Sequence, residues 1–126
     1  MSDLKNIFAG VNFEWNDALL GNGGAIYLGS SNTNVVFKFS TFKFNTAVSG
    51  ASIYAVKFNK ISMIGCNITL NTAVESGSIY LQQENVVEIN SSTCSSNIAL
   101  SGSGGLLYSA NRNQIVAREL VLLQNR

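Results

Sequence analysis

Apolar residues recur along this chain at fixed distances from a repeated asparagine. The asparagines are Asn16, Asn45, Asn71, Asn97 and Asn125. Two residues after them stand Ala18, Ala47, Ala73 and Ala99, and three after them Leu19, Val48, Val74 and Leu100. Three before them stand Phe13, Phe42, Ile68, Cys94 and Leu122, and eight before them Phe8, Phe37, Met63, Ile89 and Ala117. Ten before them, from the second copy on, stand Val35, Ile61, Val87 and Ile115. The positions between are mixed, as in Lys43, Thr69 and Ser95, or Val36, Ser62 and Glu88. Apolar and mixed positions therefore alternate with a period of two, the mark of half-buried strands. Val, Ile, Phe, Tyr and Thr are common in these segments and no proline interrupts them.

The repeat is 26 residues from Asn45 to Asn71 and from Asn71 to Asn97, 29 before the first of these intervals and 28 after the last. That is too short for a strand with a crossover helix, which takes ~30 residues or more. The Leu-x-x-Leu-x-Leu pattern of leucine-rich repeats is missing. A coil of strands and turns remains. Each coil is expected to hold three strands, through Val35–Phe39, Phe42–Asn45 and Ser52–Ala55 and their equivalents. The Ala and Leu/Val positions after each Asn are both expected to face inward. Stacked coils pair their strands in parallel and bury one continuous core. The predicted fold is an all-β, single-stranded parallel β-helix of about four coils, with residues 1–126 as one domain. The handedness of parallel crossovers predicts a right-handed one.

Stacked asparagines at a turn can bond amide to amide along the axis. Asn16, Asn45, Asn71, Asn97 and Asn125 are expected to form such a ladder, with Asn also taking the left-handed conformation of a sharp corner. The plainer alternative is that Asn serves only as a turn former. Gly23–Gly24, Gly50, Gly77 and Gly104–Gly105 mark the next corner. Tyr27, Tyr54, Tyr80 and Tyr108 neighbour inward Ile26, Ile53, Ile79 and Leu107, so alternation points them outward as an aromatic column. Such a stripe either stabilises the sheet by stacking or offers sugar rings or a partner a face.

Charged residues are only 12% of the chain, net charge is +1, and no Lys/Arg cluster suggests nucleic acid. No apolar run reaches the ~18 residues of a membrane span. Met1–Lys5 does not read as a secretion signal. Asn67-Ile68-Thr69 and Asn90-Ser91-Ser92 fit the N-glycosylation pattern, with both asparagines expected outward. Cys66 and Cys94 differ in strand position and are expected as free thiols, at least one of them buried. Glu119–Leu123 could be helical on propensity, but its place in the repeat predicts strand. The chain has no histidine, which removes His-based triads and metal sites. The acids Asp3, Glu14, Asp17, Glu75, Glu84, Glu88 and Glu119 are scattered over the repeat, with Glu14 and Lys43 as a cross-coil ion pair. No enzyme activity and no cofactor are expected.

Phe13-Glu14-Trp15-Asn16 and Phe42-Lys43-Phe44-Asn45 fit Phe-x-x-Asn, and Gly23-Gly24-Ala25-Ile26 fits Gly-Gly-Ala-Ile. Their alternation resembles the repeats of chlamydial polymorphic outer membrane proteins and of similar β-helix surface proteins. The motifs are altered in the third and fourth copies, where Ile68 and Cys94 replace Phe and Ser78 and Leu106 replace Ala. The resemblance implies an extracellular or cell-surface adhesive or structural role. Partners would be other copies or neighbouring β-helix subunits, because Lys5–Trp15 and Ile115–Leu123 keep apolar residues in core columns, so the chain is expected either to continue in a longer solenoid or to stack end to end. The alternative is a carbohydrate-binding or carbohydrate-cleaving β-helix using the tyrosine face. Ice binding is a third option, without a regular Thr-x-Thr column to carry it.

Overall fold

The computed structural model describes residues 6–126, and those residues hold strands and turns with no helix. Met1–Lys5, and the reading of that segment, lie outside the described residues. The first coil runs through β1 (Asn6–Ala9), β2 (Asn12–Glu14), β3 (Asp17–Ala18) and β4 (Ile26–Ser30). The second runs through β5 (Val35–Lys38), β6 (Thr41–Lys43), β7 (Thr46–Ser49) and β8 (Ile53–Lys57). The third holds β9 (Lys60–Ile64), β10 (Asn67–Thr69), β11 (Thr72–Ser76) and β12 (Ile79–Gln83). The fourth holds β13 (Val86–Asn90), β14 (Thr93–Ser95), β15 (Ile98–Ala99) and β16 (Leu107–Asn111), followed by β17 (Gln114–Arg118) and β18 (Val121–Leu123). Glu119–Leu123 is thus turn and strand, as its place in the repeat predicts.

Equivalent strands pair in parallel to build four sheets along one axis. Their orders are β1-β5-β9-β13-β17, β2-β6-β10-β14-β18, β3-β7-β11-β15 and β4-β8-β12-β16. The chain is a parallel β-solenoid. Each coil has four strands where three were expected. The extra one, as in Thr46–Ser49, directly follows the asparagine, where the chain is too short between two corners to show alternation. Within it Ala47 and Ala73 are fully buried. The next position points out: Leu19 and Leu100 are about two-thirds exposed, and Val74 is exposed as well. The inward assignment of Leu19, Val48, Val74 and Leu100 is therefore corrected, since consecutive residues of a strand cannot share a face. In β11 the extra Glu75 is taken up as a bulge between Ala73 and Ser76.

The other columns lie as the spacing predicts. Val35, Ile61 and Val87 stack in one, Phe37, Met63 and Ile89 in a second, Phe42, Ile68 and Cys94 in a third, all buried. Phe8 stacks on Phe37 at 5.1 Å and Phe13 on Phe42 at 4.7 Å, with the two pairs edge to face. The aromatic volume of the core is gathered in the first two coils. Both cysteines are free and buried.

Two of the four corners turn on a non-glycine residue in the left-handed region, and a third uses Gly10 and Gly65 in two coils and Phe39, Ser91 and Glu119 in the others. At the corner before the asparagine the turning residues are Trp15, Phe44, Leu70, Ser96 and Gln124, with φ between 54° and 58°. The asparagines themselves do not take that conformation, contrary to expectation; the residue before each does. The fourth corner uses Gly23, Gly50, Gly77 and Gly104. A Cβ on Gly50 would lie 2.6 Å from the Ile53 carbonyl oxygen and 2.8 Å from the Tyr54 Cβ. Glycine is needed there for space as well as for φ.

Candidate functional site

The Asn16–Asn45–Asn71–Asn97–Asn125 ladder is present and complete. Asn45 donates from both its backbone N–H and its Nδ2 to Asn71 Oδ1, at 3.0 and 2.9 Å. Asn71 repeats this with Asn97, and Asn97 with Asn125. The remaining Nδ2 proton of Asn71 goes to the Phe42 carbonyl at 2.9 Å. Each amide thereby satisfies the corner backbone of the coil before it, and its own backbone N–H is taken by the amide of the coil after. Asn45, Asn71 and Asn97 are fully buried.

A second ladder was missed in the sequence. Asn32, Asn59, Asn85 and Asn113 bond in the same way at the corner between the fourth and first strands of successive coils. Its spacings, 27, 26 and 28 residues, carry the same signal as the first ladder. The third corner uses smaller groups. The Cys66 N–H donates to Ser92 Oγ and the Val11 N–H to Ser40 Oγ. Ser52 and Ser78 hydroxyls meet at 2.8 Å beside the glycine corner.

The tyrosine column is in register, with ring centroids 5.4, 4.8 and 5.1 Å apart and planes within 16° of parallel. Neighbouring rings cover each other's faces. Tyr54 is nearly buried between Tyr27 and Tyr80, and Tyr27 is more than half exposed. Burial, and then the adjacent tyrosines, raise the Tyr54 phenol above its ordinary pKa; for Tyr80 burial acts first, then Tyr108 and Glu75. The column therefore offers the solvent ring edges and hydroxyls.

Another aromatic feature escaped the sequence reading. Trp15 stacks on Phe44 at 4.2 Å, and Trp15 is 72% exposed. With Leu70 these rings form one wall of an axial groove of about 290 Å³, and Asp17, Thr46 and Thr72 form the other. The residue types before each asparagine vary too much to reveal a column. Lys43 is in register with Glu14, but its ammonium lies 4.8 Å over the Phe44 ring, and no ion pair joins it to Glu14. Across the described residues the ion pair found is Arg112–Glu84 at 2.7 Å. Asn67 is exposed as expected, whereas Asn90 is half-buried with its Oδ1 enclosed and without a partner. Burial raises both thiols, that of Cys94 to about 11. Among the described residues no helix is long and apolar enough to cross a membrane. Among the described residues no group of three His, Cys, Asp or Glu side chains is placed to hold a metal.

The chain matches no protein-family model, no curated protein and no solved structure.

Proposed function

We propose that this chain is a non-enzymatic structural or adhesive module of a cell-surface or extracellular assembly, joined end to end to further solenoid coils. The observation that carries this reading is the continuity of its outward columns. The tyrosine rings stack without a break over four coils. A surface that repeats one side chain at strand spacing, ~4.8 Å, meets a partner through many equal contacts rather than at one centre. The resemblance of Phe-x-x-Asn and Gly-Gly-Ala-Ile segments to chlamydial polymorphic outer membrane repeats points the same way. The test is adhesion. Beads coated with the folded chain should be retained on cell or matrix surfaces under shear, with retention falling when Tyr27, Tyr80 and Tyr108 are changed to Ala. Folded chain that is retained on none of these surfaces would remove the adhesive reading.

Carbohydrate binding is the second reading, and the Trp15–Phe44 groove favours it more than the tyrosines do. An aromatic wall opposite a carboxylate and two hydroxyls matches the mixed apolar and hydrogen-bonding surface of a sugar. A glycan array with the wild-type chain, Trp15→Ala and the double variant Tyr54→Ala/Tyr80→Ala separates the two faces. Binding lost only in Trp15→Ala places the site in the groove, and absence of any binding excludes this reading.

A further inference from the structure

The groove beside the first asparagine ladder is built from two columns that run along the axis. Trp15, Phe44 and Leu70 form one wall, and Asp17, Thr46 and Thr72 form the other. The second wall is in strand register, Asp17 with Thr46 and Thr46 with Thr72. The groove therefore crosses the strands at ~4.8 Å per step. Trp15 and Phe44 stack one coil apart, with 4.2 Å between centroids and 18° between planes. Their faces are turned along the axis towards each other, so their edges look into the groove. An aromatic edge is electropositive and prefers the face of another π-system. Asp17 is the one charged side chain among the described lining residues. It is exposed, and the ion pair found among the described residues is Arg112–Glu84, so its carboxylate has no cation beside it there. Lys43 lies over the Phe44 ring but does not line the groove.

We propose that this groove binds a planar, elongated aromatic cation. The ligand lies along the axis, with one face against the edges of Trp15 and Phe44 and its positive charge at Asp17. The proposal goes beyond both readings above, since neither an adhesive surface nor a sugar site requires a flat π-system. Three observations choose this ligand. The first is shape. The walls are straight and span three coils, about 10 Å between the first step and the third, a length that two linked ring systems fill. The second is the contact on offer. A flat π-face lying along the groove collects an edge-to-face contact from both rings at once. The third is charge. A cation meets the Asp17 carboxylate, and an anion is repelled by it. Because that carboxylate is exposed to water, its attraction is modest and orients the ligand more than it tightens it. The charged end then sits in the first coil, and the apolar end reaches Leu70 in the third.

The probe is thioflavin T, a benzothiazolium cation linked to a dialkylaniline ring, which emits strongly only when its two halves are held in one plane. It is titrated into the full chain, freed of aggregate by gel filtration. Dye emission should rise and saturate. Trp15 is the sole tryptophan of the chain, so its own emission reports on the groove and should be quenched with the same midpoint. The variants are first matched to wild type by circular dichroism. Trp15→Ala should weaken dye binding by about tenfold. Asp17→Asn should weaken it by about fivefold, the size of one exposed charge contact. The uncharged analogue of the dye, lacking the ring N-methyl group, should bind Asp17→Asn as well as it binds wild type. Tyr80→Ala, which interrupts the separate tyrosine column, should bind the dye as wild type does. Emission that does not rise, or that is unchanged in Trp15→Ala, would overturn the proposal. Binding lost in Tyr80→Ala and kept in Trp15→Ala would overturn it in favour of the tyrosine column. Equal weakening of the charged and uncharged dyes by Asp17→Asn would refute the orientation. The glycan array decides the carbohydrate reading independently of these results.

Discussion

Asn71 is the place to measure what the ladder contributes. Its side chain is fully buried and makes four hydrogen bonds. It accepts from the Asn45 N–H and Nδ2, and donates to Asn97 Oδ1 and the Phe42 carbonyl. Asn71→Ala removes all four. Two of the partners keep another bond: Asn45 Nδ2 still reaches the Phe13 carbonyl, and Asn97 Oδ1 still receives the Asn71 backbone N–H. The Asn45 N–H and the Phe42 carbonyl lose their amide partner. At about 1–3 kcal/mol for each of these two buried groups left unsatisfied, the expected loss is about 2–6 kcal/mol. That is a large share of the ~5–15 kcal/mol typical of a domain. Thr72→Ala, one residue on and pointing outward, should cost less than about 1 kcal/mol. Urea denaturation followed by far-UV circular dichroism measures both, provided one transition with an unchanged slope is seen. Asn71→Asp adds a pH arm. A buried carboxyl whose second oxygen replaces Nδ2 against the Phe42 carbonyl and Asn97 Oδ1 has its folded pKa raised by burial and by those two acceptors, so the variant is least destabilised below the ordinary carboxyl pKa and loses stability as pH rises. Equal losses in Asn71→Ala and Thr72→Ala would refute the ladder as a source of stability.

Gly50→Ala should destabilise strongly, by about 2–4 kcal/mol, because it adds a backbone clash to the strain of φ +66, whereas Gly10→Ala, with φ +63 and open space, should cost about 1 kcal/mol; thermal midpoints compare them, and equal shifts would contradict the steric argument. Leu81→Ala in the core should cost about 2–5 kcal/mol, and Leu100→Ala, which is mostly exposed, under about 1 kcal/mol; a comparable loss for Leu100 would reinstate an inward Leu19–Leu100 column. Cys94 should resist alkylation at pH 8 until urea unfolds the chain, and since its thiol is raised to about 11 in the fold, its contribution to stability should be full below pH about 9 and lost as pH rises towards 11. Rapid modification of Cys94 in the native chain would contradict its burial.

The long-range pattern was legible because a solenoid repeats its environment. One inward position recurs every coil, so Phe42, Ile68 and Cys94 declare a common site although their chemistry differs. The same property made the tyrosine stack and the first asparagine ladder readable. What was lost lies within a coil. Strands of two to five residues between corners hold too few positions for alternation to separate Ala47 from Val48. The second asparagine ladder was masked by the polar turn around Asn32–Asn34, where two asparagines compete for one corner. The Trp15–Phe44 groove was hidden for another reason. Corner residues point outward, no packing partner constrains their type, and only the folded chain brings Trp15 and Phe44 into contact.

The corners explain why the ladder residue is not the residue that turns. A left-handed backbone costs a residue with a side chain ~1–2 kcal/mol, and thirteen non-glycine residues in the described chain take it. At three corners the residue that follows the turn is buried and bonds to the backbone groups the turn exposes: Asn45 after Phe44, Asn59 after Phe58, Ser40 after Phe39. Strain and satisfaction thus fall on adjacent residues. The turning residue carries its side chain into solvent, where Phe39, Phe44 and Phe58 need no polar partner. The following residue needs both a donor and an acceptor that reach one strand spacing along the axis. An amide has both, so Asn forms an unbroken ladder; a serine hydroxyl reaches a carbonyl of its own turn and one N–H of the coil before, so Ser40 and Ser92 hold their corner without linking to each other. This division leaves the outward corner positions free to vary, and the exposed chemistry of the module, Trp15 and Phe44 included, is written on them.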